Sequence, residues 1–461
     1  MVRKKFKKSL SLLEEAKKII PTGSQTFSKS TYAFSEGASP MYLKKGKGCH
    51  SYDVDGNKFI DYVMGCQPLI LGYSDKDVNF SISNQLKKGS VFSLNNKLEI
   101  DVAKLLIKHI PCAEAVRFGK NGADATSASI KIARAVTKKE HVAFCGYHGW
   151  HDWFIANTNL DNGIPKNNKK LTHSFNFNDI DSLRKIFKKN KNKIACVIME
   201  PITVSRPACA KKGTCKNNKC KKYCKFNFLH QVKKECKKNN SLLIFDEVVT
   251  GFRYSLGGAQ KIFNVTPDLA CFAKAMSNGV PLSAVVGKKK YMKFFSEVFF
   301  SFTYGGECIG LSAAKACIEK LETKKVLQHI NKMGKTLKNG INEKIKENNL
   351  EDYFWCIGEP CRSVINIKSD NEKNLLVYKT FIQQELIKNG ILWSGYHAIS
   401  WMHKEKDIKK TISGFNNALK KFEKIISSKE KIVDYLEGKK CKQIFTRVAD
   451  FNAASLSKVK N

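Results

Sequence analysis

The chain has 461 residues, 42% apolar and 10% aromatic, which excludes wholesale disorder and allows roughly three domains or one large α/β unit with a smaller partner. Lysine and arginine total 81 against 41 acids, a net charge of +40, yet only eight of the 81 are arginine, the residue whose planar fork suits phosphate and guanine. The lysines spread along the whole chain, often as doublets, so surface drift toward lysine and a polyanion partner both stand as readings of the charge.

No apolar run approaches the ~18 residues of a membrane-spanning helix, so no membrane is expected. Near the N-terminus, Leu12, Leu13, Ala16, Ile19 and Ile20 recur at helical spacing with Glu14 and Glu15 among them. That predicts an amphipathic helix over 10–20 and not a signal segment. Cys66, Cys145, Cys196, Cys271 and Cys308 sit in apolar contexts, where a free thiol behaves as a small hydrophobe. A reducing, cytoplasmic compartment follows. Residues 48–63 predict a hairpin around Asp55-Gly56. Its aspartates lack the distal glutamate of an EF-hand, so turn chemistry is their expected role.

From about 75 to 325 helices and strands alternate. A helix is predicted over 98–109, a strand over 115–118, a helix over 126–138 and a strand over 142–145. The runs 196–199, 242–245 and 269–272 are short and continuously apolar, as buried parallel strands require. The fold class is therefore α/β, with ligands expected at the carboxyl ends of a mostly parallel sheet. The last third predicts helices near 314–321, 326–347, 377–389 and 408–426 around strands at 363–367 and 391–393. The expected domains are 1–75, packing with the small domain; 76–324, a large domain with an insert at 205–227; 325–428, a small α+β domain; and 429–461, a tail.

Three features fall at strand ends. Gly119-Lys120-Asn121-Gly122-Ala123-Asp124 lies between a strand and a helix, where backbone N–H groups can hold a phosphate. Asp246-Glu247 follows the strand at 242–245. Lys274 follows the strand at 269–272 among small and apolar residues, whose desolvation makes an amine nucleophilic toward carbonyls. A phosphate cradle, an acid and a partly buried lysine together suit pyridoxal 5'-phosphate (PLP).

The runs Asp246-Glu247-Val248-Val249-Thr250-Gly251-Phe252-Arg253, Gly257-Gly258-Ala259-Gln260 and Thr266-Pro267-Asp268-Leu269, followed by Lys274, resemble the class III aminotransferase signature. The likeness spans about residues 10–425 and is nearest in flavour to glutamate-1-semialdehyde 2,1-aminomutase. It implies the PLP-dependent transferase fold type I and an enzyme that moves an amino group from an amino donor to a carbonyl acceptor. It also implies that Lys274 forms the Schiff base and shuttles the proton, that Asp246 binds the ring nitrogen, and that Val248 and Tyr147 cover the two ring faces. Gly122 and Ala123 match the family's phosphate-binding Gly-Thr pair. Thr303 resembles the threonine that reaches the phosphate from a neighbouring subunit, which implies a homodimer with shared active sites. His148, Glu307 and Arg362 are expected near cofactor or substrate, Arg362 as a partner for a substrate carboxylate.

Two departures bear on the reaction. Ala123 removes a hydroxyl from the phosphate cup. Lys29 stands where the aminomutase has an arginine for the substrate carboxylate, and lysine cannot make the bidentate contact. Similarity to aminotransferases of bacterial surface-polysaccharide clusters is carried by Arg117-Phe118-Gly119-Lys120-Asn121-Gly122 and Gly146-Tyr147-His148-Gly149-Trp150. Transamination is the leading expectation, with the aminomutase reaction as the alternative. A polyanion binder on an inactive scaffold is the remote one; nucleic acid is not an expected partner. Whether lysines near the pocket mouth, Lys29 and Lys120 first, steer an anionic substrate is the question the charge leaves. Finally, Cys209, Cys215, Cys220 and Cys224 crowd a lysine-rich stretch. A structural zinc, an iron–sulfur cluster, free thiols and disulfides all remain open there.

Overall fold

A computed structural model describes residues 6–209, 227–369 and 371–444. The chain's contacts divide it into two units. One takes the described residues up to Asp75 together with Lys325–Ile444, the other Lys76–Lys324.

The first unit begins with the helix Lys7–Ile19, followed by strands β1 (Leu43–Lys47), β2 (His50–Asp53) and β3 (Lys58–Asp61). The hairpin aspartates do turn and cap work. Asp53 Oδ1 accepts from Asn57 N at 2.7 Å, closing the β2–β3 turn. Asp55 accepts from Lys8 N and Ser9 N at 2.8 and 2.9 Å, meeting orphan donors of the first helical turn.

The second unit is built on seven strands: β4 (Ala115–Gly119), β5 (His141–Cys145), β6 (Thr172–Ser174), β7 (Ile194–Met199), β8 (Leu242–Asp246), β9 (Leu269–Phe272) and β10 (Ser283–Gly287). Their order in the sheet is β4-β10-β9-β8-β7-β5-β6. Period-two alternation sends Val142, Phe144, Cys196, Ile198, Leu242, Ile244, Leu269, Cys271 and Val285 into one core. Ala125, Ala128, Ile132 and Ala133 of the helix Gly122–Thr137 complete it. The alternate residues, among them Val197, Leu243, Phe245, Ala270 and Phe272, are also buried. Both faces are thus covered, as the continuous apolar runs predicted.

β10 departs from the parallel pattern. It runs antiparallel to both β4 and β9. Only residues 273–282 join it to β9, fewer than the dozen or so that a parallel crossover needs.

The first unit resumes with helices Val326–Glu347, Glu372–Lys388 and Glu405–Ser427 and strands β11 (Phe354–Glu359), β12 (Arg362–Ile367), β13 (Ile391–Leu392) and β14 (Tyr396–Ala398). β13 joins β3 in parallel, and β11, β12 and β14 form a separate antiparallel sheet. His50 Nε2 lies 3.3 Å from Asp407 Oδ1, tying the first hairpin to the last long helix. Past residue 430 the expected tail packs back on this unit through buried Ile432 and Cys441. No helix among the described residues is long and apolar enough to cross a membrane.

Glu247 braces the stretch that follows β8. It is fully buried, and its carboxylate accepts from Ala259 N at 2.8 Å, Gln260 N at 3.1 Å and the Thr250 hydroxyl. Burial pushes its pKa up, against those donors. Gly258 has φ +72°, and a Cβ there would lie 2.5 Å from the Glu247 carboxylate. Gly258→Ala is therefore expected to destabilise the fold by about 3 kcal/mol in denaturant titration. A change below ~1 kcal/mol would contradict the brace.

Candidate active site

The polar groups of the large sheet gather where its parallel strands end. β4 leads into the helix Gly122–Thr137, whose first turn supplies free N–H groups and the positive end of the dipole. Asp124 holds the approach: its Oδ2 accepts from Lys120 N at 3.0 Å and Asn121 N at 2.7 Å. Gly122 is packed against Val248, since a Cβ at 122 would meet Val248 Cγ1 at 3.0 Å. Ala123 is buried under Gly149 (φ +107°), where a Cβ would meet the Ala123 Cβ at 2.6 Å. Small residues are required at 122 and 149.

Asp246, the last residue of β8, is 4% exposed. Its Oδ2 lies 2.8 Å from His148 Nδ1, and its Oδ1 accepts from Val248 N at 3.1 Å. A carboxylate has about four lone-pair sites, so two remain. His148 is itself buried, and Trp153 stacks on it at 5.9 Å and 18°. Its backbone carbonyl accepts from Thr126 Oγ1 at 2.8 Å. Tyr147 is 40% exposed, edge-on to Phe154. Its N–H donates to Glu200 Oε1 at 2.8 Å.

Lys274 begins a short 3-10 turn just past β9, the neighbour of β8, with Asp246 opposite Cys271 in the register. It is half-buried and has φ +46°. A left-handed non-glycine residue costs about 1–2 kcal/mol, and such strain concentrates at functional sites.

The remaining predicted residues take other places. Lys120 and Glu307 meet each other at 2.7 Å, both largely buried. Glu307 also caps the helix Cys308–Thr323, accepting from Gly310 N at 3.0 Å. Burial raises its pKa, but Lys120 and the two capping N–H groups outweigh it and hold the carboxyl low. Lys120 is therefore half of an ion pair, and Glu307 serves both that pair and the helix cap. Thr303 is exposed in a turn of the second unit. Arg362 and Lys29 belong to the first unit: Arg362 Nε donates to Gln67 Oε1 at 2.8 Å, and Lys29 ends an exposed 3-10 turn. Cys209 is half-buried, while Cys215, Cys220 and Cys224 lie outside the described residues.

Glu200, Thr126 and Trp153 were not anticipated. Glu200 carried the same signal as Asp246, an acid just past an apolar strand. Thr126 and Trp153 act through contacts that sequence spacing does not encode.

The donor set suits PLP. A buried carboxylate with open lone pairs matches a ring nitrogen, a helix N-terminus kept clear by glycine matches a phosphate, and an amine lies past the adjacent strand.

Residues 31–419 match the family described as aminotransferase class-III. A 3-aminobutyryl-CoA aminotransferase of Cloacimonas acidaminovorans (strain Evry) is 34% identical over 426 residues, 92% of this chain and 99% of that protein. A glutamate-1-semialdehyde 2,1-aminomutase of Wigglesworthia glossinidia brevipalpis is 36% identical over 435 residues, 89% of this chain and 97% of that one. Among solved structures, the PLP internal aldimine form of the Sphingopyxis sp. MTA144 FumI protein matches with a TM-score of 0.82 at 22% identity, covering 93% of this chain and 100% of that one. An omega-transaminase from Sphaerobacter thermophilus matches at 0.77 and 23%, covering 89% and 97%. At those identities the structures bear on the fold alone. Strand order, strand-end chemistry and sequence match converge, and the chain belongs to the class-III aminotransferases, PLP-dependent enzymes that act on small molecules.

Proposed function

We propose that this enzyme runs transamination with Lys274 as its working amine. The observation that carries the reading is a strained lysine past β9 beside the buried Asp246–His148 pair at the end of β8. Lys274 Nζ would hold PLP covalently, Asp246 would pair with its ring nitrogen, and first-turn N–H groups at Gly122 and Ala123 would take its phosphate. Val248 and Tyr147 would cover its faces. Bound there, PLP supplies an electron sink for negative charge developing on the substrate's amino-bearing carbon. His148 keeps the Asp246 carboxylate oriented toward the ring. Lys274 Nζ takes the proton from that carbon and returns it to the carbon that accepts it.

Lys274→Ala should leave the fold intact, abolish turnover and lose the borohydride-fixed cofactor seen by mass spectrometry in the wild type. A borohydride-fixed cofactor in that variant overturns the assignment.

Lys29 favours transfer between two molecules over transfer within one, because a lysine there cannot fork a substrate carboxylate. With amino donor alone, product should stop at about one equivalent per active site and resume when a carbonyl acceptor is added, as two half-reactions sharing one cofactor require. Sustained turnover of a single substrate without acceptor would mark an aminomutase.

The functional unit we infer is a homodimer. Phe80, Leu86, Leu94 and Ile100 are 57–86% exposed, as are Phe299 at 82% and Tyr304 at 58%. The two segments are joined where Cys308 N donates to Ser90 O at 2.8 Å. An apolar surface of this kind marks an interaction site, and Thr303 lies within it. Light scattering should give twice the chain mass. Leu94→Glu with Phe299→Glu should give monomers that retain PLP poorly. Monomeric wild type with full activity would refute the shared site. A cytoplasmic location fits the thirteen described cysteines, none of them in a disulfide.

A further inference from the structure

Behind the active-site wall lies an open pocket of about 390 Å³, within the range of small-molecule sites. It is lined on one side by Ser127, Lys131 and Arg134 of the helix Gly122–Thr137, and on the other by Trp150, His151 and Trp153. Of these residues only Trp153 touches the proposed machinery, through its stack on His148.

Two features give the pocket a chemical character. The first is charge. Lys131 has no ion pair among the described residues, and Arg134 meets only the Glu140 carbonyl, through Nε at 2.8 Å. Asp152 is the one acid on the wall. Two cations one helical turn apart, neither in an ion pair among the described residues, make a local anion site. The second is aromatic preorganisation. Trp150 is 68% exposed yet lies against His151, ring centroids 4.8 Å apart at 81°. Trp153 donates its indole N–H to Ser127 Oγ at 3.0 Å, and Ser127 Oγ lies 2.6 Å from His151 Nδ1. Ser127 and His151 thus fix the Trp153 wall before any ligand arrives, and Trp150 presents an exposed face beside it.

We propose that this pocket binds a nucleotide: an aromatic base stacked on Trp150, with its phosphates on Lys131 and Arg134. A free nucleotide and the nucleotide end of a carrier-linked substrate share this chemistry. The pocket wall continues to the active site, because the Trp153 ring that faces it also stacks on His148. A nucleotide here would sit one ring away from the histidine that holds Asp246.

Calorimetry and tryptophan fluorescence on the PLP-loaded enzyme test this without using turnover. The probes are ADP, UDP, coenzyme A, ribose 5-phosphate and inorganic phosphate. Saturable binding of ADP or UDP is expected, with Trp150→Ala weakening it roughly tenfold through lost stacking. Lys131→Glu should weaken it about tenfold and flatten its dependence on salt. Tighter binding of coenzyme A than of ADP would assign the carrier-linked source; equal binding would assign a free nucleotide. The proposal fails if no nucleotide binds below about 1 mM. It also fails if binding is unchanged in both variants, or if phosphate alone binds as well as ADP. A wild-type enzyme that fails here yet keeps its Lys274-fixed cofactor leaves the transaminase reading untouched.

Discussion

A carboxylate buried at the end of an apolar strand must be met by donors, and Asp246 imposes that demand on everything around it. Leaving an ionised group unpaired in such a place costs several kcal/mol. His148 meets it at 2.8 Å and the Val248 N–H at 3.1 Å. To deliver the imidazole, the chain after β5 turns at Gly146 (φ +126°) and Gly149 (φ +107°). A Cβ at Gly146 would meet Glu200 at 3.0 Å, and one at Gly149 would meet Ala123. Trp153 then fixes the ring plane. The small residues at the start of the helix Gly122–Thr137 and those of the histidine loop are two sides of one packing requirement.

Much of this was legible in the sequence, for a physical reason. Buried parallel strands read as continuous apolar runs, so β7, β8 and β9 stand out, and the polar residues just past them, Glu200, Asp246 and Lys274, mark the functional edge. What stayed hidden was tertiary. The run Ser283–Gly287 looks like any parallel strand; only the short link from β9 reverses it. β6 is three residues long at the sheet edge and has no apolar signature. Lys120 and Glu307 are far apart in sequence and meet only in the fold, so spacing could not show that Lys120 is half of an ion pair.

The strain at Lys274 belongs with the same logic. A lysine at the start of a helical turn would ordinarily extend its amine outward. The left-handed backbone at 274 departs from that default, and the fully buried neighbours Phe272, Ala275 and Met276 hold it there. The local cost of about 1–2 kcal/mol is small against the burial those neighbours contribute. A rigid sheet end can sustain such a conformation, whereas an exposed loop would relax it.

The charge takes on a different meaning once its partners are known. Acids are scarce, and several serve two lysines at once. Glu385 accepts from Lys388 and Lys421 at 2.7 and 3.0 Å, Glu36 from Lys439 and Lys17 at 2.8 and 3.3 Å, and Asp101 from Lys97 and Lys315 at 2.6 and 3.4 Å. Burial pushes the Glu385 carboxyl up, and its two lysines more than reverse that. Pairs whose lysine stays in solvent, as Lys97 and Lys439 do, contribute little each, so lysine can accumulate on the surface at low energetic cost. That favours drift over a dedicated polyanion partner as the origin of +40. It also sharpens where charge can carry meaning. A cation informs about function only where geometry gathers it with others and no acid answers it, and Lys131 and Arg134, set against the exposed Trp150 and the held Trp153 indole, meet that condition where Lys120 does not.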